Sequence, residues 1–130
     1  MESNHSLLAK EWLSRASDTL RFTEAGFTDT KIAHDACYGS QQAAEKALKA
    51  VLVAHGQEPP RTHDTADLLA VAQQSEPTLA TLAPEARLLV RYVVDARYPT
   101  ELQTDFTEAE AQEAIQAAKK IVEDVTKLLQ

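Results

Sequence analysis

Small side chains recur along one face of a single segment, and this pattern constrains the fold more than any other feature of the sequence. Between residues 30 and 55 the small residues fall every three or four positions, which is the spacing of one helix face. A helix with such a face lets a second helix approach it closely. The segment is therefore predicted to be a helix that packs tightly against a neighbour. Its small residues are Ala36, Ser40, Ala43, Ala47, Ala50 and Ala54.

Apolar residues recur at helical spacing in five segments, and none has the strict alternation typical of a half-buried strand. The predicted helices cover about residues 5–25, 30–55 and 64–75, a fourth with Pro84 in its first turn, and a fifth opened by a Thr107–Glu110 capping box. At 130 residues the chain is sized for one domain, residues 1–130. The predicted fold is all-α, an up-down four-helix bundle with an additional short helix.

Glycine and proline mark the expected ends of these helices. Gly26 is predicted to stop the first helix, and the second is predicted to start near Asp29 or Thr30 and to end at Gly56. Pro99 is predicted to stop the fourth helix, because a residue before proline is pushed out of helical geometry.

Composition limits the classes of function. The net charge of -7 and the pI of about 5.0 argue against nonspecific nucleic-acid binding, which needs a basic face. Cys37 is the one cysteine, so a reducing compartment suits the chain. No apolar run is longer than that of Ala50 to Ala54, which is too short to span a bilayer, and the first residues do not resemble a signal peptide. We expect a cytoplasmic protein with no membrane association.

Three separated motifs occur in one order along the chain. They are QQAAEKALKA at residues 41–50, PRTHD at residues 60–64 and RYP at residues 97–99. Together they resemble the HEPN domain family, and the resemblance spans nearly the whole chain. It implies an all-helical domain associated with nucleotide binding, with minimal nucleotidyltransferase partners and, in some branches, with RNA cleavage. It also implies a homodimer.

Arg97 lies on the extension of the apolar stripe of the fourth predicted helix, four residues after Val93. A guanidinium in that position needs a partner. One interpretation is a structural pair with a carboxylate such as Glu45 or with free helix carbonyls. The other is a fork that holds a phosphate, with Tyr98 contacting the base or sugar. The resemblance favours the second because the Arg-Tyr-Pro element recurs in the family, but the residues leave both open.

A polar strip is predicted on the second helix, beside its small-residue face. Its members Gln42, Glu45, Lys46 and Lys49 have the spacing of neighbours on a helix surface. Glu45 and Lys49 can pair with each other, so a solvated face with weak ion pairs is one interpretation. If the strip faces Arg97, Gln42, Glu45 and Lys46 would instead line a ligand pocket at the wall of the bundle.

Further basic residues add to this group. Arg61 and His63 lie in the turn before the third predicted helix, where free backbone amides favour an anion. The alternative for His63 is a helix cap or a solvent contact. Arg91 is a ligand candidate because Arg87, Arg91 and Arg97 concentrate positive charge on an acidic chain, although solubility is the simpler role for Arg87.

The ribonuclease motif of the family is absent. Active HEPN ribonucleases carry an arginine followed, after four to six residues, by a histidine, and no histidine here has that spacing. Without it, RNA cleavage lacks a general acid or base. We therefore predict no catalytic residue, no metal ligand and no cofactor other than a nucleotide ligand such as ATP. The histidines are His5, His34, His55 and His63.

The function that these observations favour is a non-catalytic HEPN-type module that binds a nucleotide or phosphate ligand beside a nucleotidyltransferase partner. The alternative is an antitoxin-like or scaffold subunit that binds a partner protein without a small ligand. A ribonuclease toxin is the third alternative and the least favoured. The ligand-binding candidates are Arg97, Tyr98, Arg61, His63, Lys46, Gln42, Glu45 and Arg91.

Overall fold

A computed structural model of the protein describes residues 3–93 and 106–130. These residues contain five α-helices, one 3-10 helix and no β-strand, which confirms the all-α prediction. The helices are α1 (Asn4–Thr30), α2 (Ala33–Ala54), α3 (Thr65–Ser75), a 3-10 helix (Pro77–Leu82), α4 (Ala83–Val90) and α5 (Glu108–Leu129).

Helix α2 lies at the centre of the fold. It packs most extensively against α1 and α5 and also contacts α3 and α4. The predicted small-residue face is buried from Ala36 to Ala50, and Ala54 at its end is partly exposed. Because these side chains are short, the neighbouring helices approach α2 closely. Larger apolar side chains, including Leu48, Val51 and Leu52, fill the rest of the α2 core surface.

Helices α1 and α2 come into close contact at Gly39. A Cβ atom at this position would collide with the Oγ1 atom of Thr23, which is itself buried on α1. Gly39 is therefore required for contact between two helices and not for an unusual backbone angle. Gly56, by contrast, has a φ of 73° at the end of α2, in the left-handed region that favours glycine.

The predicted boundary between the first two helices was wrong. Helix α1 continues through Gly26 to Thr30, and Lys31 ends it with a φ of 57°. One glycine in a helix interior costs only about 1 kcal/mol, and burial of Phe27 one residue later outweighs that cost. Helix α2 starts at Ala33, after the extended residue Ile32, whose amide donates to the Thr30 hydroxyl.

The starts of α3 and α5 agree with the sequence. Asp64 caps α3 by accepting from the Asp67 amide, and Thr107 and Glu110 form the reciprocal capping box of α5.

The predicted length of the fourth helix was wrong. Helix α4 has Pro84 in its first turn but ends at Val90, and residues 91–93 form a turn in place of the predicted continuation toward Pro99. The amides of Tyr92 and Val93 bond to carbonyls three residues back, and Tyr92 is buried against Phe106 at the start of α5. The predicted stop at Pro99 lies outside the described residues. In the described part of the chain, no helix is long and apolar enough to cross a membrane.

Two glycine-to-alanine substitutions on this helix pair should have opposite effects. Gly39→Ala forces α1 and α2 apart and should lower the free energy of unfolding by about 1–3 kcal/mol. Gly26→Ala, where a Cβ atom would meet nothing within 4 Å, should raise it by about 0.5–1 kcal/mol. Urea denaturation of the two variants measures both effects. Equal stabilities would contradict the close helix contact.

Candidate functional site

The centre of the predicted polar strip is a buried carboxylate. The Glu45 side chain is 8% exposed and has three donors around it. Lys49 Nζ lies 2.9 Å from its Oε2, Gln41 Nε2 lies 3.2 Å from its Oε1, and His63 Nδ1 lies 3.1 Å from both oxygens. We refer to Gln41, Glu45, Lys49 and His63 as the buried network. It joins α2 to the connection between α2 and α3.

These contacts keep Glu45 ionised. Burial by itself would raise the pKa of the carboxyl, but hydrogen bonds from Lys49, Gln41 and His63, together with the Lys49 charge, hold the pKa below its ordinary value of 4.5. Lys49 in turn lies 5.9 Å from the centre of the Trp12 ring. Because its oxygens already accept from three partners, Glu45 is poorly suited to act as a general base, and its role here is to hold other groups in place.

The network continues to the surface through Gln42. Gln41 accepts a 2.7 Å hydrogen bond from Gln42 Nε2 and donates a 2.6 Å bond to the backbone carbonyl of His63. The His63 side chain is 48% exposed, so the imidazole has one face in the network and another in solvent. His63 does not cap α3, because the neighbouring Asp64 does so.

A groove of about 550 Å³ lies between α1 and α2, next to this network. Lys46 and Gln42 form one rim, and the Lys46 ammonium donates a 2.8 Å hydrogen bond to the Thr19 hydroxyl. The walls are mostly apolar and include Phe22, which is 82% exposed, and Ile32. The full lining is Thr19, Phe22, Thr23, Gly26, Phe27, Thr30, Ile32, Asp35, Ala36, Tyr38, Gly39, Gln42 and Lys46. A volume of this size, mostly apolar with a few polar groups, is typical of a small-molecule site.

The structure therefore brings Gln42, Glu45, Lys46 and His63 into one connected region. Arg61 lies two residues before His63 in the same connection, and its side chain is exposed. Arg97 and Tyr98 lie outside the described residues. The structure thus describes the α2 and loop candidates but not the Arg-Tyr-Pro element.

Arg91 lies in a different environment. It forms a 3.0 Å salt bridge with Glu110 and lies over the rings of Tyr92 and Phe106, at 5.4 and 5.5 Å from their centres. Tyr92 and Phe106 make an edge-to-face contact, with ring centres 5.1 Å apart. Arg91 therefore joins the end of α4 to the start of α5. The same cluster includes His34, whose ring stacks on Phe106.

Two features of the site were missed in the sequence. Gln41 was part of the recognised motif but not a candidate, although its four-residue spacing from Glu45 could have indicated their contact. Phe22 was not considered, because one exposed aromatic residue carries no signal until its neighbours across the groove are known. In the described part of the chain, no cluster of three or more histidine, cysteine or acidic residues could hold a metal ion.

A model of the HEPN domain matches residues 9–128, which include the groove and the buried network. The chain belongs to the HEPN domain family. The crystal structure of TT1696 from Thermus thermophilus is similar, with 33% identity, a TM-score of 0.81 and coverage of 92% of this chain and 96% of that one. ST0689, an archaeal HEPN homologue, has 27% identity and a TM-score of 0.76, and the match covers 94% and 98% of the two chains. No curated protein matches this HEPN domain.

The lowered pKa of Glu45 predicts how this HEPN domain responds to acid. The ionised carboxylate contributes stability that is fully present above pH 4.5, its ordinary pKa, and is lost as the pH falls through the lower folded-state pKa. Glu45→Gln should therefore lower the free energy of unfolding by about 1–3 kcal/mol at neutral pH, and by less below pH 4.5.

Urea denaturation at a series of pH values measures this difference. Glu123→Gln, at an exposed position of α5, is the control and should match the unaltered protein throughout. A deficit for Glu45→Gln that stays constant across the pH range would contradict the ionic role of Glu45.

Proposed function

We propose that this HEPN domain binds a nucleotide or a related phosphate ligand and acts beside a minimal nucleotidyltransferase, without catalysing a reaction itself. The ligand's phosphate meets Lys46 and Gln42 on the rim of the groove, with Arg61 and His63 on the neighbouring connection. Its base or sugar lies against the aromatic wall that Phe22 contributes. Arg97 and Tyr98 are proposed to complete the site, as the family resemblance implies.

One observation supports this proposal most directly. The Lys46 ammonium bonds to a neutral hydroxyl, and no carboxylate among residues 3–93 and 106–130 forms a salt bridge with it. Four other described basic residues also form no salt bridge with a described carboxylate, but none of them lines this groove. They are Lys31, Arg61, Arg87 and Lys127. A cation on an apolar groove without an acidic partner favours an anion from outside. Other basic residues do form salt bridges with carboxylates, namely Arg15, Arg21, Lys49, Arg91, Lys119 and Lys120.

Calorimetric titration with ATP tests the proposal. Saturable binding in the micromolar range is the expected result for the unaltered protein. Lys46→Ala should weaken ATP binding about tenfold or more, which corresponds to about 1.4 kcal/mol. The melting temperature should change little because, among the described residues, the substitution removes only the hydrogen bond from Lys46 to the Thr19 hydroxyl. Arg97→Ala should likewise weaken binding more than it lowers the melting temperature.

Lys120→Ala provides the matched control. It removes the same charge from α5, where Lys120 pairs with Asp124, and should leave ATP affinity unchanged. Equal loss in Lys46→Ala and Lys120→Ala would indicate a general charge effect and contradict a site on the groove. If the calorimetric titration detects no heat of binding with ATP or with other nucleotides, the proposal itself is overturned.

A second candidate function is an antitoxin-like or scaffold subunit that binds a partner protein without a small ligand. The observation that favours it is the pair of exposed apolar side chains on the groove, Phe22 and Ile32. Exposed apolar residues that share one surface are typical of protein interfaces. In this interpretation a partner's side chains fill the groove and no small ligand is needed.

Co-expression with a minimal nucleotidyltransferase, followed by light scattering, tests the second candidate. A stable complex with the nucleotidyltransferase that Phe22→Ser disrupts would support it. Leu7→Ser is the control, because Leu7 is an exposed leucine on α1 that does not line the groove. A protein that remains a monomer and binds no nucleotidyltransferase would contradict this interpretation.

A further inference from the structure

One fully buried amide connects the two halves of the proposed site. Gln41 has no exposed surface, and its side chain bonds to three other residues. Its Nε2 donates to the His63 carbonyl oxygen at 2.6 Å and to Glu45 Oε1 at 3.2 Å, and its Oε1 accepts from Gln42 Nε2 at 2.7 Å. Both amide hydrogens and the amide oxygen are therefore used.

These bonds join parts of the chain that are distant in sequence. Gln42 is on the rim of the groove, whereas His63 is 22 residues after Gln41, on the connection that also carries Arg61. The His63 side chain makes its own contact with Glu45, so the connection is held through both its backbone and its imidazole. Gln41 donates to the backbone carbonyl of residue 63. This bond therefore orients the connection whichever side chain occupies position 63.

We propose that Gln41 is a positioning residue that sets the distance between the loop carrying Arg61 and His63 and the groove rim formed by Gln42 and Lys46. The inference rests on the proposed function, in which both parts meet one anionic ligand. Gln41 contacts no ligand itself. Without these hydrogen bonds the loop is no longer held in place on α2. Arg61 and His63 then no longer lie close enough to Lys46 to bind the same phosphate.

The chemistry of the amide suggests a specific test. Methionine has a similar length but neither donates nor accepts strongly, so Gln41→Met removes all three bonds. Ionised glutamate would place a negative charge beside Glu45 and the His63 carbonyl, which repels both. Protonated glutamate, however, donates one O–H to the His63 carbonyl and still accepts from Gln42. Burial beside Glu45 favours this protonated form, so Gln41→Glu should regain function as the pH falls.

The experiment compares the unaltered protein with Gln41→Met, Gln41→Glu and Gln116→Met, an exposed control on α5. ATP affinity is measured by calorimetry at several pH values between neutral and about pH 5, always relative to the unaltered protein at the same pH. Hydrogen exchange, measured by mass spectrometry, follows residues 57–64 and, as a reference, α5.

We expect Gln41→Met to lose about tenfold or more in affinity at every pH and to exchange faster in residues 57–64 but not in α5. Gln41→Glu should be as weak at neutral pH and recover at lower pH, and unchanged exchange in α5 distinguishes this result from a global loss of stability. Unchanged ATP affinity in Gln41→Met would overturn the inference, and so would a Gln41→Glu affinity that does not recover at lower pH. In either case, ATP binding by the unaltered protein would still support the proposed function.

The two failures can be told apart. If the unaltered protein binds no nucleotide, the proposed function fails, and with it the role of Gln41 in ligand binding. Hydrogen exchange then still decides the structural part: faster exchange confined to residues 57–64 retains Gln41 as the residue that fixes the loop on α2. Unchanged exchange overturns that as well.

Discussion

The close packing of α1 on α2 is the constraint on which the rest of the structure depends. Gly39 lets the two helix backbones come together, because Thr23 lies where the side chain of any larger residue at position 39 would stand. Close packing then gives α2 its position among α1, α3, α4 and α5. The same approach leaves a groove along the outer edge of the helix pair, where α1 contributes Phe22 and α2 contributes Lys46.

A second constraint follows from the burial of Glu45. A carboxylate that is removed from water needs donors around it, and three side chains supply them from two parts of the chain. This requirement orders more than the carboxylate. Because His63 is one of the donors and also accepts from Gln41 through its backbone, the connection between α2 and α3 is fixed to α2 beside the groove. The burial of the Glu45 carboxylate thus determines where the neighbouring loop lies on α2.

The proposed site combines these two constraints. The groove offers an apolar wall and a lysine whose described hydrogen-bond partner is a neutral hydroxyl, while the network presents the loop with Arg61 and His63. Neither part alone resembles a complete phosphate site. Arg91, which the sequence placed in the same group, forms a salt bridge and ring contacts that join α4 to α5, and its role in ligand binding stays a prediction. A basic residue in an acidic chain is therefore not by itself evidence of a ligand.

The sequence alone determined the fold class, the family and several helix ends. Helical spacing, the three motifs and the side chains of Asp64, Thr107 and Glu110 act over a few residues, so their consequences can be predicted locally. The end of α1 could not be predicted in this way, because the burial of Phe27 by other parts of the fold outweighs the local preference of Gly26 to end a helix.

The site shows the same division between local and long-range effects. The contact of Glu45 with Lys49 spans one helical turn and was predicted from spacing. The contacts of Gln41 and Glu45 with His63, and the groove between Phe22 and Lys46, join residues that are far apart in the chain. Only the tertiary structure decided them, because the distance between such residues is set by how the helices pack and not by their separation in the sequence.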